Sequence, residues 1–270
     1  GDIQPADADE ESKIILKNPH LLSFCVNTYK QKWSKIFHRL HSNEEALNEK
    51  FIHIYGLEDE LTPDVPLDEV TILQQGEISI EKEKTEDDSK EDEKIIWHDD
   101  VIIKQFISYL VGCFMGRYSV DKPGLIIANQ HQDLSSLNLQ VDGIDNSPRS
   151  TLSIDDDGIV PIIQESDFFD DNMTERIQLA IKTLFGEEQY YENMKYIEQT
   201  IGKPLRDYLY KDYYADHQQM YSVKGAKRPI YWLFSSRMGD KHKKGYFKAL
   251  VYMHRMEADT LSKLHADYVH

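Results

Sequence analysis

The chain has 270 residues and a net charge of −17, with 29% charged and 40% hydrophobic residues. It is long enough for one large domain or two ordinary ones, and too apolar to be a disordered polymer. Two cysteines, Cys25 and Cys113, are too few for a secreted disulfide framework, and no apolar run reaches the roughly 18 residues of a membrane span, so a cytoplasmic, non-membrane protein is expected.

The chain opens Gly1-Asp2-Ile3, with no signal peptide and no initiator methionine, which reads as the start of an excised piece or of a cleaved product. Leu21, Phe24, Cys25, Tyr29, Trp33, Phe37 and Leu40 recur at helical spacing and predict one amphipathic helix. Ser42 or Asn43 is expected to cap a second, carrying Leu47, Phe51, Ile54 and Tyr55 and ending at Gly56. After a loop marked by Pro63 and Pro66, Val70–Leu73 and Ile78–Ile80 read as short strands. Residues 81–94 hold eight acids and four lysines without an apolar side chain, and are expected to form a solvated, mobile insert.

Ile95–Met115 reads as a buried helix capped near His98 or Asp99, and residues 130–157 as a long loop or linker. Ile159–Ile163 follows as a short strand. Apolar spacing from Asp170 to Tyr221 predicts three helical segments divided by Gly186 and Gly202-Lys203-Pro204. Ile230–Ser235 and Phe247–Met253 predict an antiparallel hairpin, and Asp259 or Thr260 opens a last helix. The fold expected is α+β and predominantly helical, divided as 1–129, a 130–157 linker and 158–270.

Catalytic motifs are missing from these residues. The 13 glycines never form a Gly-x-Gly turn, and no Asn- or Asp-Pro-Pro-aromatic loop is present to hold a flipped base. Pro63-Asp64 with Asp92-Glu93-Lys94 imitates a Mg²⁺-dependent nuclease, but its second half is read as lying in the acidic run with no strand to hold it. Asp155-Asp156-Asp157-Gly158 lacks the spacing and closing glutamate of a calcium loop and is read as a turn. No catalytic, cofactor-binding or metal-binding residue is assigned.

Charge is unevenly spread: residues 201–270 carry thirteen Lys or Arg against seven Asp or Glu, leaving residues 1–200 at −23. Within 224–255 there are nine basic residues and one acid, Asp240. Lys227, Arg228, Arg237, Lys241, Lys243 and Lys244 are the candidate phosphate contacts, since loops project long cations toward a polyanion. The plainer alternative is that lysines solubilise a loop while Tyr231, Trp232, Phe234, Phe247 and Tyr252 build a core.

Three stretches, FIHIYGLEDELTP (51–63), ISYLVGCFMGRYSVDKPGLIIAN (107–129) and RPIYWLFSS (228–236), resemble the downstream region of large adenine-specific DNA methyltransferases. These are the type IIG restriction-modification enzymes and the methyltransferase of bacteriophage-exclusion (BREX) systems. FKALVYMHR (247–255) and ADYVH (266–270) are similar too, and together the stretches touch about a quarter of the chain. The family pattern is missing from 81–94 and 130–157. The resemblance implies that the cofactor fold for S-adenosylmethionine and the Asn-Pro-Pro-Tyr loop lie upstream in the same polypeptide. This chain would then be a non-catalytic target-recognition or scaffold region binding duplex DNA. The alternative is a protein-interaction scaffold that binds the catalytic domain or other defence-system proteins.

Overall fold

A computed structural model describes residues 20–73, 76–84, 91–132, 151–164, 171–223, 225–236 and 247–268. It is mixed α+β and mostly helical, and it divides into two compact units between Ile102 and Ile103.

In the first unit a single helix, α1, runs from Leu22 to Tyr55. The two predicted helices are one, because no glycine or proline interrupts these 34 residues and Ser42 and Asn43 remain helical. Its end is as expected. Gly56 adopts φ +65°, its N–H donating to the His53 carbonyl at 3.3 Å while the Leu57 N–H reaches Ile52 at 3.0 Å. This paired closure of the last carbonyls favours glycine because a left-handed residue without Cβ is unstrained.

The chain then folds back along the helix. Asn48 donates to the Pro63 carbonyl, and His41 Nε2 lies 2.6 Å from the Val65 carbonyl. Val70–Leu73 is not a strand: it follows the short 3₁₀ turn Leu67–Glu69 and enters a turn with Leu73 at φ +66°.

Strands β1 (Ile78–Lys84) and β2 (Glu91–Trp97) form an antiparallel hairpin through the segment expected to be an unstructured insert. The physical reason is pairing. Register sets Glu81 opposite Lys94 and Lys82 opposite Glu93, so opposite charges face each other. Lys82 Nζ lies 3.1 Å from both Glu93 and Asp68. The same hairpin takes Ile95–Trp97 from the predicted helix. α2 spans Asp99–Phe114, with Asp99 and Asp100 in a first turn where negative charge is favoured.

In the second unit, α2 buries Ile103, Ile107, Leu110, Val111 and Phe114, an i, i+4, i+7, i+8, i+11 stripe. Strand β3 (Ile159–Pro161) follows, then helices α3 (Met173–Phe185), α4 (Tyr190–Ile201), α5 (Leu205–Lys211) and α6 (Tyr213–Met220). Asn172 caps α3 by accepting from the Thr174 N–H. Gly186 and Gly202 separate the segments as predicted, and the last expected segment divides at Asp212.

A two-residue ribbon, β4 (Ser222–Val223) with β5 (Ala226–Lys227), leads into β6 (Tyr231–Ser235) and β7 (Lys248–Tyr252). The predicted hairpin is therefore present, and β3 adds to its far side in the order β3-β7-β6. Helix α7, Thr260–Tyr268, packs Leu264 against Ile159, Ala249 and Val251.

Candidate functional site: an arginine among tyrosines beside the hairpin

The Gly-Arg-Tyr that follows α2 supplies the centre of the site. Gly112 accepts from the backbone N–H groups of Arg117 and Tyr118 at 2.8 and 3.2 Å, which turns the chain sharply back. A Cβ on Gly112 would sit 2.4 Å from the Tyr118 ring, so the glycine makes the room that the tyrosine fills. Gly116, at φ +78°, redirects the chain, and its N–H and carbonyl bond Cys113 and Ile127.

Arg117 is half-buried. Its Nε donates to the Tyr118 hydroxyl at 3.2 Å and its Nη1 to the Tyr252 hydroxyl at 3.3 Å. The guanidinium carbon lies 5.3 Å from the Tyr118 ring centroid and 5.9 Å from that of Tyr221, within cation–π range. Desolvation works against the charge, but the Tyr252 and Tyr118 hydroxyls outweigh it and Arg117 stays a cation.

Tyr252 gives its own proton to the Ile127 carbonyl at 2.6 Å, so it can only accept from Arg117. His254 Nδ1 lies 3.2 Å from the same hydroxyl. Burial, followed by the Tyr118 hydroxyl, pushes the Tyr221 phenol up to about 12, so it remains neutral beside the arginine.

Behind this layer His217 is buried, stacks on Tyr231 at 4.6 Å and lies tilted against Tyr221 at 4.8 Å. Its Nε2 accepts the Tyr231 N–H at 3.3 Å. Burial, reinforced by the Arg117 charge, lowers its pKa to about 4.

Two of the six predicted cations are described. Lys227 lies on β5 and Arg228 immediately follows it, both exposed. The Arg228 N–H donates to the Tyr221 carbonyl at 3.0 Å, which sets that residue beside the Arg117 cage. Lys227 Nζ reaches Gln218 at 3.2 Å. Arg237, Lys241, Lys243 and Lys244 lie outside the described residues.

Tyr231 and Tyr252 are core residues, as the plainer reading holds, whereas Trp232 is 48% exposed. The sequence alone does not mark Arg117, because its partners lie at 118, 221 and 252. The available signal was the Arg-Tyr pair directly after a turn glycine.

The acidic candidates are occupied by structural work. Glu93 spends one carboxylate oxygen on Lys82 and the other on the Leu67 N–H, at 3.1 and 2.7 Å. A strand does hold Asp92-Glu93-Lys94, contrary to expectation. Asp155, Asp156 and Asp157 offer oxygens within 4.8 Å of one another. Those of Asp155 accept from Gly158, Ile159 and Arg176, and those of Asp157 from Ile159 and Tyr268, which is the turn foreseen. Among the described residues no helix is long and apolar enough to cross a membrane.

No family model matches the chain. It is 32% identical over 275 aligned positions to the adenine-specific methyltransferase PglX of Lacticaseibacillus casei (strain Zhang), covering 96% of this chain and 19% of that protein. It is 37% identical over 180 positions to the adenine-specific methyltransferase BrxX of Escherichia coli O9:H4 (strain HS), covering 62% of this chain and 14% of that protein. The chain thus spans less than a fifth of the length of the curated relatives it matches.

Proposed function

Since 96% of the chain aligns with a segment of the adenine-specific methyltransferase PglX and 62% with a segment of BrxX, we propose that it is the DNA-gripping region of an N6-adenine-specific DNA methyltransferase in a phage-defence system. Methyl transfer from S-adenosylmethionine takes place in another part of that enzyme, upstream of these residues. The observation that carries the reading is the basic segment around β5, β6 and β7, which stands out in a chain of net charge −17. Lys227, Arg228, Arg237, Lys241, Lys243 and Lys244 meet backbone phosphates there, positioning the duplex without reading its sequence.

A salt titration of binding to a short duplex tests this. Replacing Lys241, Lys243 and Lys244 by alanine should flatten the log–log slope by up to roughly three units, because each phosphate neutralised contributes about 0.9. An unchanged slope removes these lysines from the interface.

A second reading, a scaffold that braces the catalytic region or binds other defence proteins, is favoured by the first unit. There Leu47, Phe51, Ile54 and Tyr55 line one stripe of α1 and are 48–71% exposed. Gel retardation at low salt separates the two: DNA retards under the first reading and migrates freely under the second.

A further inference from the structure

Four described arginines are half-buried: Arg117, Arg176, Arg206 and Arg255. Three of them are answered by the protein. Arg176 pairs with Asp155 at 2.9 Å and Arg206 with Glu175 at 2.6 Å. Arg255 bonds the Asp155 and Asp156 carbonyls at 2.7 and 2.6 Å and feels the Asp155 charge.

Arg117 has no carboxylate within 4 Å among the described residues. Its partners are the Tyr118 and Tyr252 hydroxyls, so its orientation is fixed while no described residue supplies a carboxylate counter-charge. Holding a cation out of bulk water in this way is costly unless an anion completes the site.

We propose that Arg117, whose guanidinium lies 5.9 Å from the Tyr221 ring centroid, and Arg228, whose N–H bonds the Tyr221 carbonyl, form a receptor for one backbone phosphodiester of DNA. Arg117 presents a planar fork already oriented by Tyr118 and Tyr252, and such a fork matches two phosphate oxygens. The hydroxyls that hold it cannot compete as anions. Arg228 is exposed and anchored through its own N–H to Tyr221, so it adds a second cation from the opposite element. Lys227 is one residue further along the ribbon and already engages Gln218. The receptor does not rely on Lys241, Lys243 or Lys244, and it draws the segment after α2 into contact with the duplex.

The inference rests on the DNA-gripping reading, so the test separates the two. The 270-residue chain and its Arg117→Met, Arg228→Ala and Lys241/Lys243/Lys244→Ala variants are titrated with salt on a duplex of about 20 base pairs. Arg117→Met is expected to weaken binding roughly tenfold and to reduce the slope by about one unit, and Arg228→Ala to weaken binding in the same direction. Arg117→Lys should restore the slope but not the full affinity, because the point charge survives and the fork does not.

Melting is followed in parallel. If Arg117→Met melts early, Arg228→Ala, which removes only an exposed side chain, decides the matter. Unchanged affinity and slope in Arg228→Ala, or in a folded Arg117→Met, overturns the receptor. If only the triple-lysine variant flattens the slope, the receptor fails and DNA gripping stands. If the unchanged chain does not bind duplex at all, both fall together.

Discussion

His217 is 1% exposed, and its Nε2 already accepts the Tyr231 N–H. Adding a proton there would set N–H against N–H and place a second positive charge near Arg117. The folded pKa of about 4 lies below the usual 6.5, so between these values the unfolded chain binds the proton and the folded chain does not. Stability therefore rises with pH through this window and is lost as pH falls from about 6.5 to 4. The full effect is on the order of 3 kcal/mol. Thermal melting of the chain and of His217→Gln across this range should show a steeper acid loss in the unchanged protein, and parallel curves would refute the assignment.

Gly112 supplies a second prediction at this scale. A Cβ there must push the Tyr118 ring, so Gly112→Ala should cost roughly 1–3 kcal/mol through overpacking and should loosen Arg117 with it. Denaturant unfolding measures this. A neutral substitution would mean the ring has room to move. The histidine effect could not be read from the sequence, where a buried histidine resembles a surface one.

Among the elements, those specified by local chemistry were legible. Glycine closes α1, and aromatic and β-branched runs make β6 and β7. Ser42-Asn43 was misread because cap residues and exposed helical positions carry the same side chains, and only the absence of a following break tells them apart. Asn43→Ala distinguishes them directly. In a helix interior alanine should raise stability by up to about 0.5 kcal/mol, whereas loss of a cap would lower it by about 1 kcal/mol. The acidic run was misread for another reason. Its average composition suggests a solvated coil, but its order lets strands β1 and β2 set three lysines opposite acids, Lys82 against Glu93, Lys84 against Glu91 and Lys94 against Glu81, with Glu83 against Asp92 the one like-charge pair in this run. The DNA-binding candidates were legible only as charge, and Arg117 was not legible because its cage is assembled from positions more than one hundred residues apart.

For the molecule as a whole, the charge division carries the functional expectation. Residues 1–200 at −23 repel a polyanion while residues 201–270 at +6 attract one. Lysine acetylation in the presence of duplex DNA should therefore spare lysines between 224 and 248 and leave Lys32 and Lys50 as reactive as before. Equal protection along the chain would contradict an interface centred on the C-terminal basic segment.

The apolar stripe on α1 has a consequence of its own. Leu47, Phe51, Ile54 and Tyr55 are exposed within the acidic part of the chain, where mutual repulsion between copies keeps such surfaces apart in dilute buffer. Raising ionic strength screens that repulsion while strengthening the tendency of greasy faces to meet. Sedimentation should then show heavier species as salt is added, over the same range in which the proposed nucleic-acid complex should dissociate.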